Sequence, residues 1–306
     1  MGVRMLDAAA VRDALAPSGL VDALEIAFRA GDPSDAPLRT VLDTDRGRLL
    51  LMPAWGAAGV GVKLVTLTPD NPAAGEPFIS ALYVLFDPRA QQPVAVLDGA
   101  ELTARRTAAV SALATRHLAR PDAHRLVVFG AGVQARAHIE AMRAVRSIDE
   151  VVVIAPTRAH AVAVAGEVDG IEARAGSPRD VASADIVCTC TTSLTPVLHG
   201  EDLAAGAHVN AVGAYTPATR ELDTEAVRRA RVLVETRPAA LAEAGDLLIP
   251  IEEGAIGADH VQADLHELLN GASVRRAPEE VTVFVSVGLA FEDLAVAAAI
   301  LHAIGD

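Results

Sequence analysis

The spacing of apolar residues changes along the first third of the chain. Apolar positions three and four residues apart predict two helices near the start, at about 6–16 and 19–30. The spacing then becomes two, in five segments separated by Gly, Pro and Asp residues: PLRTVLD, GRLLLMPAW, GVGVKLVTL, FISALYVLFD and PVAVLDG. Because no long helix separates these predicted strands, we expect an antiparallel or mixed sheet, followed by a long helix from about Glu101 to Ala119.

After Pro121, short apolar runs alternate with helical segments. The runs RLVVFG, VVVIAP, a weaker IEAR, DIVCTC, HVNAV, RVLVE and VTVFVS predict strands, and a final helix is expected at about 288–304. The segment Ser177-Pro178-Arg179-Asp180 has the capping Ser, first-turn Pro and later acid of a helix start. Alternation of apolar strands with helices predicts an α/β fold with a doubly wound parallel sheet.

Composition and charge narrow the class of protein. The 306 residues, 51% of them apolar, are enough for one large domain or two medium ones. A formal net charge of −14 repels nucleic acid and anionic membranes, so we expect neither as a partner. The start, MGVRMLDAAAVRDAL, lacks the apolar core of a signal peptide, which favours a cytoplasmic protein. Cys188 and Cys190 are expected to be small buried residues, and no metal site is expected.

A glycine-rich turn, Gly130-Ala131-Gly132-Val133-Gln134-Ala135, follows the apolar strand 126–129 and opens a helix. In that context Gly-x-Gly-x-x-Ala is typical of a Rossmann dinucleotide site. Gly130 permits the tight turn, Gly132 lets the backbone approach the pyrophosphate, and Ala135 keeps the helix close to the strand. The amides of the helix N-terminus then face the phosphates. The alternative is a purely structural turn.

The end of the second parallel strand bears on the choice of cofactor. In NAD sites an acid at this point binds the adenosine ribose. Here VVVIA runs into Ala155-Pro156-Thr157-Arg158, and the nearest acids, Asp149 and Glu150, precede the strand. Without an acid there is no repulsion against a 2′-phosphate, which Thr157 and Arg158 are able to bind. We therefore predict NADP(H) in preference to NAD(H); the alternative is that Arg158 is a solvated residue at a helix start.

Several longer stretches carry a family resemblance. In order they are LMPAW, GVKLVTLTPDNP, LTARRTAAVSALATRHLARPD, GAGVQARAHIEAM, NAVGA followed by P-x-x-REL, EAGDL and FVSVGLAFEDLAVAAA. Together they resemble the ornithine cyclodeaminase/μ-crystallin family from about residue 35 to the end of the chain. Members of that family include cyclodeaminases, alanine dehydrogenases, ketimine and pyrroline-2-carboxylate reductases, and lens crystallins that bind NADPH.

The resemblance implies a division into domains. Residues 1–119 with 288–306 would form a substrate and dimerisation domain, and residues 120–287 the Rossmann dinucleotide-binding domain. It also implies a cleft at the domain boundary and a homodimer formed through the N-terminal sheet.

The resemblance also implies a substrate site. Lys63 matches the family's substrate-binding lysine, and Arg39 and Arg106 match arginines that hold the substrate α-carboxylate. From the residues alone, a charge on the apolar strand of Lys63 is costly unless it is paired or faces a ligand; the alternative is an edge-strand lysine in solvent. Arg105 and Arg106 are adjacent on a helix, so they diverge by about 100° and only one can face the cleft.

Further residues follow from the same resemblance. Thr191 and Ser286 match dinucleotide contacts, although ordinary polarity at a strand end is the alternative for both. The full set of implied dinucleotide contacts outside the glycines is Val133, Gln134, Thr191, Val212, Gly213 and Ser286. Val287 is implied beside the substrate, and the pocket is expected around Leu50, Met52, Phe78 and Tyr215.

Tyr215 is the departure from the family pattern. In the cyclodeaminases an aspartate stands two positions after the Gly of the NAVG turn and transfers a proton near the substrate amine; alanine dehydrogenases of the family also carry it. This chain has Tyr215 there, and Thr219 replaces a lysine four residues further on. The reductases of the family also lack the aspartate. A phenol with a pKa near 10 is a poor base at neutral pH but a competent hydrogen-bond donor. Alternatively, Tyr215 covers the cofactor without a chemical role.

Three functional hypotheses follow. The first is an NADPH-dependent reductase, an oxidoreductase that reduces a small cyclic ketimine carboxylate such as pyrroline-2-carboxylate or piperideine-2-carboxylate to the cyclic amino acid. The second is ornithine cyclodeamination or alanine-type oxidative deamination on the same scaffold. The third is a non-catalytic NADPH-binding protein of the μ-crystallin type.

Overall fold

The computed structural model describes residues 2–305, which fold into two compact units, each with its own sheet. The first unit consists of Met1–Ala27, Asp35–Arg106 and Leu289–Asp306, and the second of Phe28–Ser34 and Thr107–Gly288. This division falls within a long helix, at residues 106/107. The predicted domain boundary after residue 119 remains a prediction.

The first unit is built on a six-stranded mixed sheet. The strands are β1 (Arg4–Leu6), β2 (Thr40–Thr44), β3 (Gly47–Gly56), β4 (Gly59–Leu67), β5 (Ile79–Phe86) and β6 (Pro93–Asp98), in the order β1-β6-β5-β4-β3-β2. The helices are α1 (Ala8–Ala14), α2 (Pro17–Ala30, whose end belongs to the second unit), the first turns of α3 (Gly99–Leu118) and α10 (Ala290–Ala303). Neighbouring strands are antiparallel except β1, which runs parallel to β6.

One face of this sheet is covered by α10, which packs on β3, β4 and β5. The pairing register places Met52, Lys63 and Tyr83 side by side in a single row across these three strands. All three side chains are buried. A lysine therefore lies in the middle of a packed layer, between two large residues.

The opposite face of the sheet is apolar and open. Leu51, Leu64 and Leu82 form one row across β3, β4 and β5, with Leu64 and Leu82 exposed. A second row contains Val62, Val84, Val96 and Met5, and Met5 is 72% exposed. Contiguous apolar surfaces are typical of interaction sites.

The second unit is a doubly wound parallel sheet of eight strands in the order β13-β12-β14-β11-β10-β7-β8-β9. The strands are β7 (Arg125–Phe129), β8 (Glu150–Ile154), β9 (Glu172–Ala175), β10 (Ile186–Thr189), β11 (His208–Ala211), β12 (Arg231–Val234), β13 (Val261–Asp264) and β14 (Thr282–Val285). The helices are α4 (Val133–Val145), α5 (Arg158–Gly166), α6 (Thr224–Arg229), α7 (Arg237–Glu243), α8 (Gly245–Glu252) and α9 (Leu265–Leu269). The chain winds outward from β7 through β8 to β9, then returns to β10 on the other side of β7. This reversal is the topological switch point at which such sheets bind dinucleotides.

The predicted α/β class, the mixed first sheet and the parallel second sheet are confirmed. The Ser177–Asp180 cap is also confirmed, although it opens a 3-10 helix at Pro178–Ser183. Strands β1 and β13 and helices α7, α8 and α9 were not predicted, because all five are short and carry no complete periodic pattern. No helix among residues 2–305 is long and apolar enough to cross a membrane.

Candidate active site

Lys63 is a buried cation held by one carboxylate. It lies on β4, in the interior of the sheet, with 1% of its surface exposed. Its Nζ is 2.9 Å from Oδ1 and 2.7 Å from Oδ2 of Asp293 on α10. The expectation that a charge on this apolar strand must be paired is met, and the alternative of a solvent-facing edge lysine is wrong.

Arg106 shares the same carboxylate. Its Nε donates to Oδ1 of Asp293 at 3.0 Å, and its Nη1 donates to Oε2 of Glu292 at 2.8 Å. Arg105 instead donates to the carbonyl of Leu15, between α1 and α2. The adjacent arginines thus diverge as expected. Arg106 is the one that joins Lys63.

Burial sets the ionisation of Lys63. Loss of solvation, together with the positive charge of Arg106, lowers the pKa of Lys63 to about 8, although Asp293 opposes the change. Arg39 is half-buried and its charge also lowers this pKa, so it belongs to the same electrostatic environment. Burial likewise raises the pKa of the Tyr83 phenol, with a further contribution from Asp293. The site thus contains a lysine whose proton is held less tightly than usual.

Glu292 and Asp293 were missed as site residues by the sequence reasoning. The signal was present, because these two adjacent acids stand in an otherwise apolar helix and both are fully buried. Buried carboxylates require partners, and a lysine on an apolar strand is a matching candidate. Of the predicted lining residues, Met52 is directly beside Lys63, whereas Phe78 is half-buried just before β5.

The glycine turn of the second unit fits a dinucleotide. Gly130 has φ +114°, and a Cβ there would overlap the carbonyl oxygen of Cys190. Gly132 caps α4, and a Cβ there would meet only open space, so the backbone is clear for a ligand. Ala135 is fully buried against the sheet. Val133 is the first residue of α4 and is 66% exposed.

Thr157 and Arg158 lie beyond the carboxyl end of β8, as predicted from the sequence. Thr157 is the N-cap of α5 but makes no capping hydrogen bond through its side chain, and Arg158 is the first helical residue. Both are exposed. Their polar groups are therefore accessible beyond the strand that ends beside the glycine turn.

Two buried glutamates hold the loops at the carboxyl edge of the parallel sheet. Glu221 accepts hydrogen bonds from the backbone amides of Thr191 and Gly213, both at 2.7 Å. Glu235 accepts from the Ser286 hydroxyl at 2.6 Å and from the Val287 amide at 3.0 Å. The Ser286 hydroxyl is thus occupied by Glu235. The loop residues were predicted from the sequence, whereas the two carboxylates that fix them were not.

Tyr215 lies half-buried in the loop that follows β11, in the second unit. This loop is anchored by the start of α8. Asp246 accepts from the amides of Glu221 and Leu222 through one oxygen, at 2.8 Å each. Gly245 leaves room for the loop, since a Cβ there would overlap the carbonyl oxygen of Thr219. Burial, with the charge of Glu221, raises the pKa of Asp246 to about 7 despite these bonds.

The fold and site define a Rossmann-type protein with a second, mixed-sheet unit that contains a buried lysine–arginine–carboxylate cluster. The model of the ornithine cyclodeaminase/mu-crystallin family matches residues 2–305, and the chain belongs to that family.

Three relatives show how close the likeness is. A Delta(1)-pyrroline-2-carboxylate reductase of Bacillus cereus is 39% identical over 275 residues, 85% of this chain and 83% of the relative. The Thermococcus litoralis Delta(1)-pyrroline-2-carboxylate reductase, solved with NADH and L-proline, has a TM-score of 0.93 at 34% identity and covers 98% of this chain and 97% of its own. An archaeal alanine dehydrogenase dimer with bound NAD has a TM-score of 0.93 at 32% identity, covering 99% and 96%.

Asp246 gives a prediction about stability and pH. Its pKa is about 3.9 in the unfolded chain and about 7 in the folded one, so the folded state holds its proton more tightly. That contribution to stability is complete below about pH 4 and is lost as pH rises through 7. We expect wild type to lose roughly 1 kcal/mol per pH unit between pH 5 and 7 relative to Asp246→Asn, measured by urea unfolding.

Asp180→Asn is the matched control. Partial burial would raise the pKa of Asp180, but the Arg174 guanidinium and the Ser177 amide bring it below its usual value. Asp180→Asn should therefore keep the wild-type slope between pH 5 and 7. Parallel curves for wild type and Asp246→Asn would show that Asp246 is already ionised throughout this range.

Proposed function

We propose that this protein is an NADPH-dependent reductase of a small cyclic ketimine carboxylate, of the pyrroline-2-carboxylate or piperideine-2-carboxylate type, and that it forms the cyclic amino acid. The observation that carries the proposal is the reductase identity of relatives that match almost the whole chain. Tyr215 supports it, since reduction of a preformed imine does not require the base that an amine oxidation needs.

The cations of the first unit are assigned to the substrate carboxylate. Arg106 has a planar guanidinium of the kind that binds carboxylates, with its Nε and Nη1 held by Asp293 and Glu292, and Arg39 and Lys63 add positive charge. Asp293 and Glu292 hold Lys63 and Arg106 in fixed positions before substrate arrives. Fixed cations orient the imine without loss of side-chain freedom on binding, which is a main source of rate enhancement.

Lys63 is also proposed as a proton donor to the imine nitrogen. A reduced nicotinamide supplies hydride to the imine carbon when bound, and the nitrogen must gain a proton unless it is already protonated. With a pKa of about 8, Lys63 is mostly protonated at neutral pH yet able to release its proton, whereas Arg39 and Arg106 are not. Tyr215 is proposed as a hydrogen-bond donor on the imine side.

We propose the glycine turn as the site of the pyrophosphate. Gly130, Gly132, Val133 and Gln134 would surround it, while Thr191, Val212, Gly213 and Ser286 lie on loops of the second half of the sheet. A preference for NADP(H) over NAD(H) is proposed because no acid ends β8 and Arg158 is exposed there. Location in the cytoplasm is proposed with it, as two free cysteines fit a reducing compartment.

The reaction is tested by a screen for oxidation of NADPH and NADH. The substrates are pyrroline-2-carboxylate, piperideine-2-carboxylate, and pyruvate with ammonia; ornithine with NAD tests the reverse chemistry. Turnover of the cyclic ketimines is expected. Preferential use of pyruvate with ammonia would instead favour alanine dehydrogenase, the activity named for one structural relative. Binding of NADPH without turnover of any substrate would favour the μ-crystallin type of function.

We predict a homodimer through the open face of the mixed sheet, with a second copy of this chain as the occupant. The rows around Leu64 and Leu82 are apolar and exposed, and one structural relative was solved as a dimer. Leu82→Asp should convert the dimer to monomer in sedimentation velocity, because a desolvated carboxylate in an apolar interface is costly. Ile26→Asp, an exposed apolar residue on α2, is the control and should not change the mass. A monomeric wild type would refute the prediction.

The cofactor preference predicts a difference in thermal stabilisation. A ligand at about a hundred times its dissociation constant adds roughly 2.7 kcal/mol of stability. NADPH should therefore raise Tm more than NADH at equal concentration, and Arg158→Ala should remove much of the difference. Arg179→Ala, an exposed arginine in the 3-10 helix, is the matched control and should keep it. Equal shifts with both cofactors in wild type would refute the preference.

If Lys63 and Arg106 bind the substrate carboxylate, their loss should lower activity without changing the affinity for NADPH. Lys63→Ala and Arg106→Ala should lower kcat/KM by orders of magnitude, since each removes a charged partner of a carboxylate. Both should leave NADPH affinity nearly unchanged. Lys63 also predicts that KM for the imine rises above about pH 8 in wild type, where the lysine becomes neutral. Steady-state kinetics measure kcat/KM and the pH dependence of KM, and titrations with NADPH measure its affinity. Weak NADPH binding with normal turnover at saturation would contradict these roles.

A further inference from the structure

Glu221 is a buried carboxylate to which neither the family resemblance nor the proposed reaction gives a role. It is fully buried, at the end of the loop that begins at Gly213 and contains Tyr215. Its Oε1 accepts from the amide of Thr191 and its Oε2 from the amide of Gly213, both at 2.7 Å. Each oxygen therefore holds a different loop, one after β10 and one after β11.

The contact leaves little freedom at either loop. A Cβ on Gly213 would overlap the carbonyl oxygen of Thr191 and come within 2.7 Å of Glu221 Oε1, so the two loops and the carboxylate are in close contact. Glu221 is itself fixed from behind, since Asp246 accepts from its backbone amide and from that of Leu222. Asp246 thus anchors Glu221, and Glu221 anchors the loops.

The position of these loops indicates which part of a dinucleotide they serve. In a doubly wound sheet the two mononucleotide halves bind on opposite sides of the switch point, and the adenosine ribose is read at the end of the second strand. That strand is β8, on the far side of β7 from β10 and β11. The loops that Glu221 holds therefore belong to the half of the sheet that receives the nicotinamide nucleotide.

We propose that Glu221 is a positioning residue for the nicotinamide half of the cofactor, acting through the backbone at Thr191 and Gly213. This inference rests on the proposed dinucleotide binding but not on the identity of the imine substrate. Loss of Glu221 should therefore weaken the binding of a whole dinucleotide but not the binding of its adenosine half alone. Loss of a residue needed only for folding would weaken the binding of both ligands.

Glu221→Gln is a sharp test because it keeps the size and shape of the side chain. Glutamine has one acceptor oxygen, so its amide group must face either the Thr191 or the Gly213 N–H, and that hydrogen bond is lost. The test is to measure Kd values by calorimetry for NADPH and NADH, and for their adenosine halves, adenosine 2′,5′-bisphosphate and AMP. Glu221→Gln should weaken the preferred dinucleotide about tenfold, the scale of one lost hydrogen bond in a site. The adenosine halves should bind as they do to wild type.

A second variant and a second measurement check the result independently. Asp246→Ala removes the acceptor that orients Glu221 and should give the same pattern. In Glu221→Gln, hydrogen exchange should become faster at one of the Thr191 and Gly213 amides, the one that faces the glutamine NH2 group. The matched control is Asp185→Asn, because Asp185 also accepts two backbone amides, those of His124 and Arg125, but at the amino end of β7. It should leave all four Kd values unchanged.

The outcomes are distinct. Weakening of the dinucleotides alone, with faster exchange at one of the two amides in Glu221→Gln, supports the assignment. Equal weakening of dinucleotides and adenosine halves, or unchanged affinity for all, would overturn it. If wild type binds neither the dinucleotides nor the adenosine halves, the proposed function itself fails, and this inference with it.

Discussion

The carboxylate of Asp293 is the contact on which the first unit depends. Its Oδ1 accepts hydrogen bonds from Lys63 and Arg106, and its Oδ2 lies 2.7 Å from the Lys63 ammonium. All three side chains are buried. Burial of a charge is tolerated only when partners replace the lost water, and removal of one partner leaves the other uncompensated. Because Asp293 is 230 residues from Lys63 along the chain, the N-terminal sheet acquires its buried cations only when the last helix is in place. The buried pairing of Lys63 and Arg106 and the docking of α10 therefore form together.

The second unit uses buried carboxylates in a different way. Glu221, Glu235 and Asp246 accept mainly from backbone amides at the carboxyl edge of the sheet, where the strands end and their loops need new hydrogen-bond partners. A carboxylate accepts from several amides at once and binds them more strongly than a neutral group does. These loops are therefore fixed by side chains, without needing regular structure of their own.

The sequence predicted the regular parts of the fold because their signals are local. The strands β3, β4 and β5 alternate, and the turn at Gly130 follows a strand and opens a helix, so both could be identified within about fifteen residues. The pairing partners could not. Nothing near Lys63 indicates that its counter-charge lies in the final helix, and nothing near Gly213 indicates that a glutamate eight residues later holds it. Such contacts depend on the tertiary arrangement. The hint available in advance was the presence of acids in apolar surroundings, at Asp293 and Asp246.

The ionisation of Lys63 bears on the direction of the proposed reaction. Reduction of an imine needs a group that gives up a proton, and oxidation of an amine needs one that takes it. Arg39 and Arg106 do neither at neutral pH, because a guanidinium does not lose its proton in a protein. Lys63, with a pKa of about 8, is present mainly as the acid at pH 7 and mainly as the base above pH 8. Burial and the charge of Arg106 lower that pKa and keep the proton available, while Asp293 raises it and so favours the acid form. In the proposed site, then, Lys63 is available as a proton donor at neutral pH, and reduction of the imine does not need an aspartate in place of Tyr215.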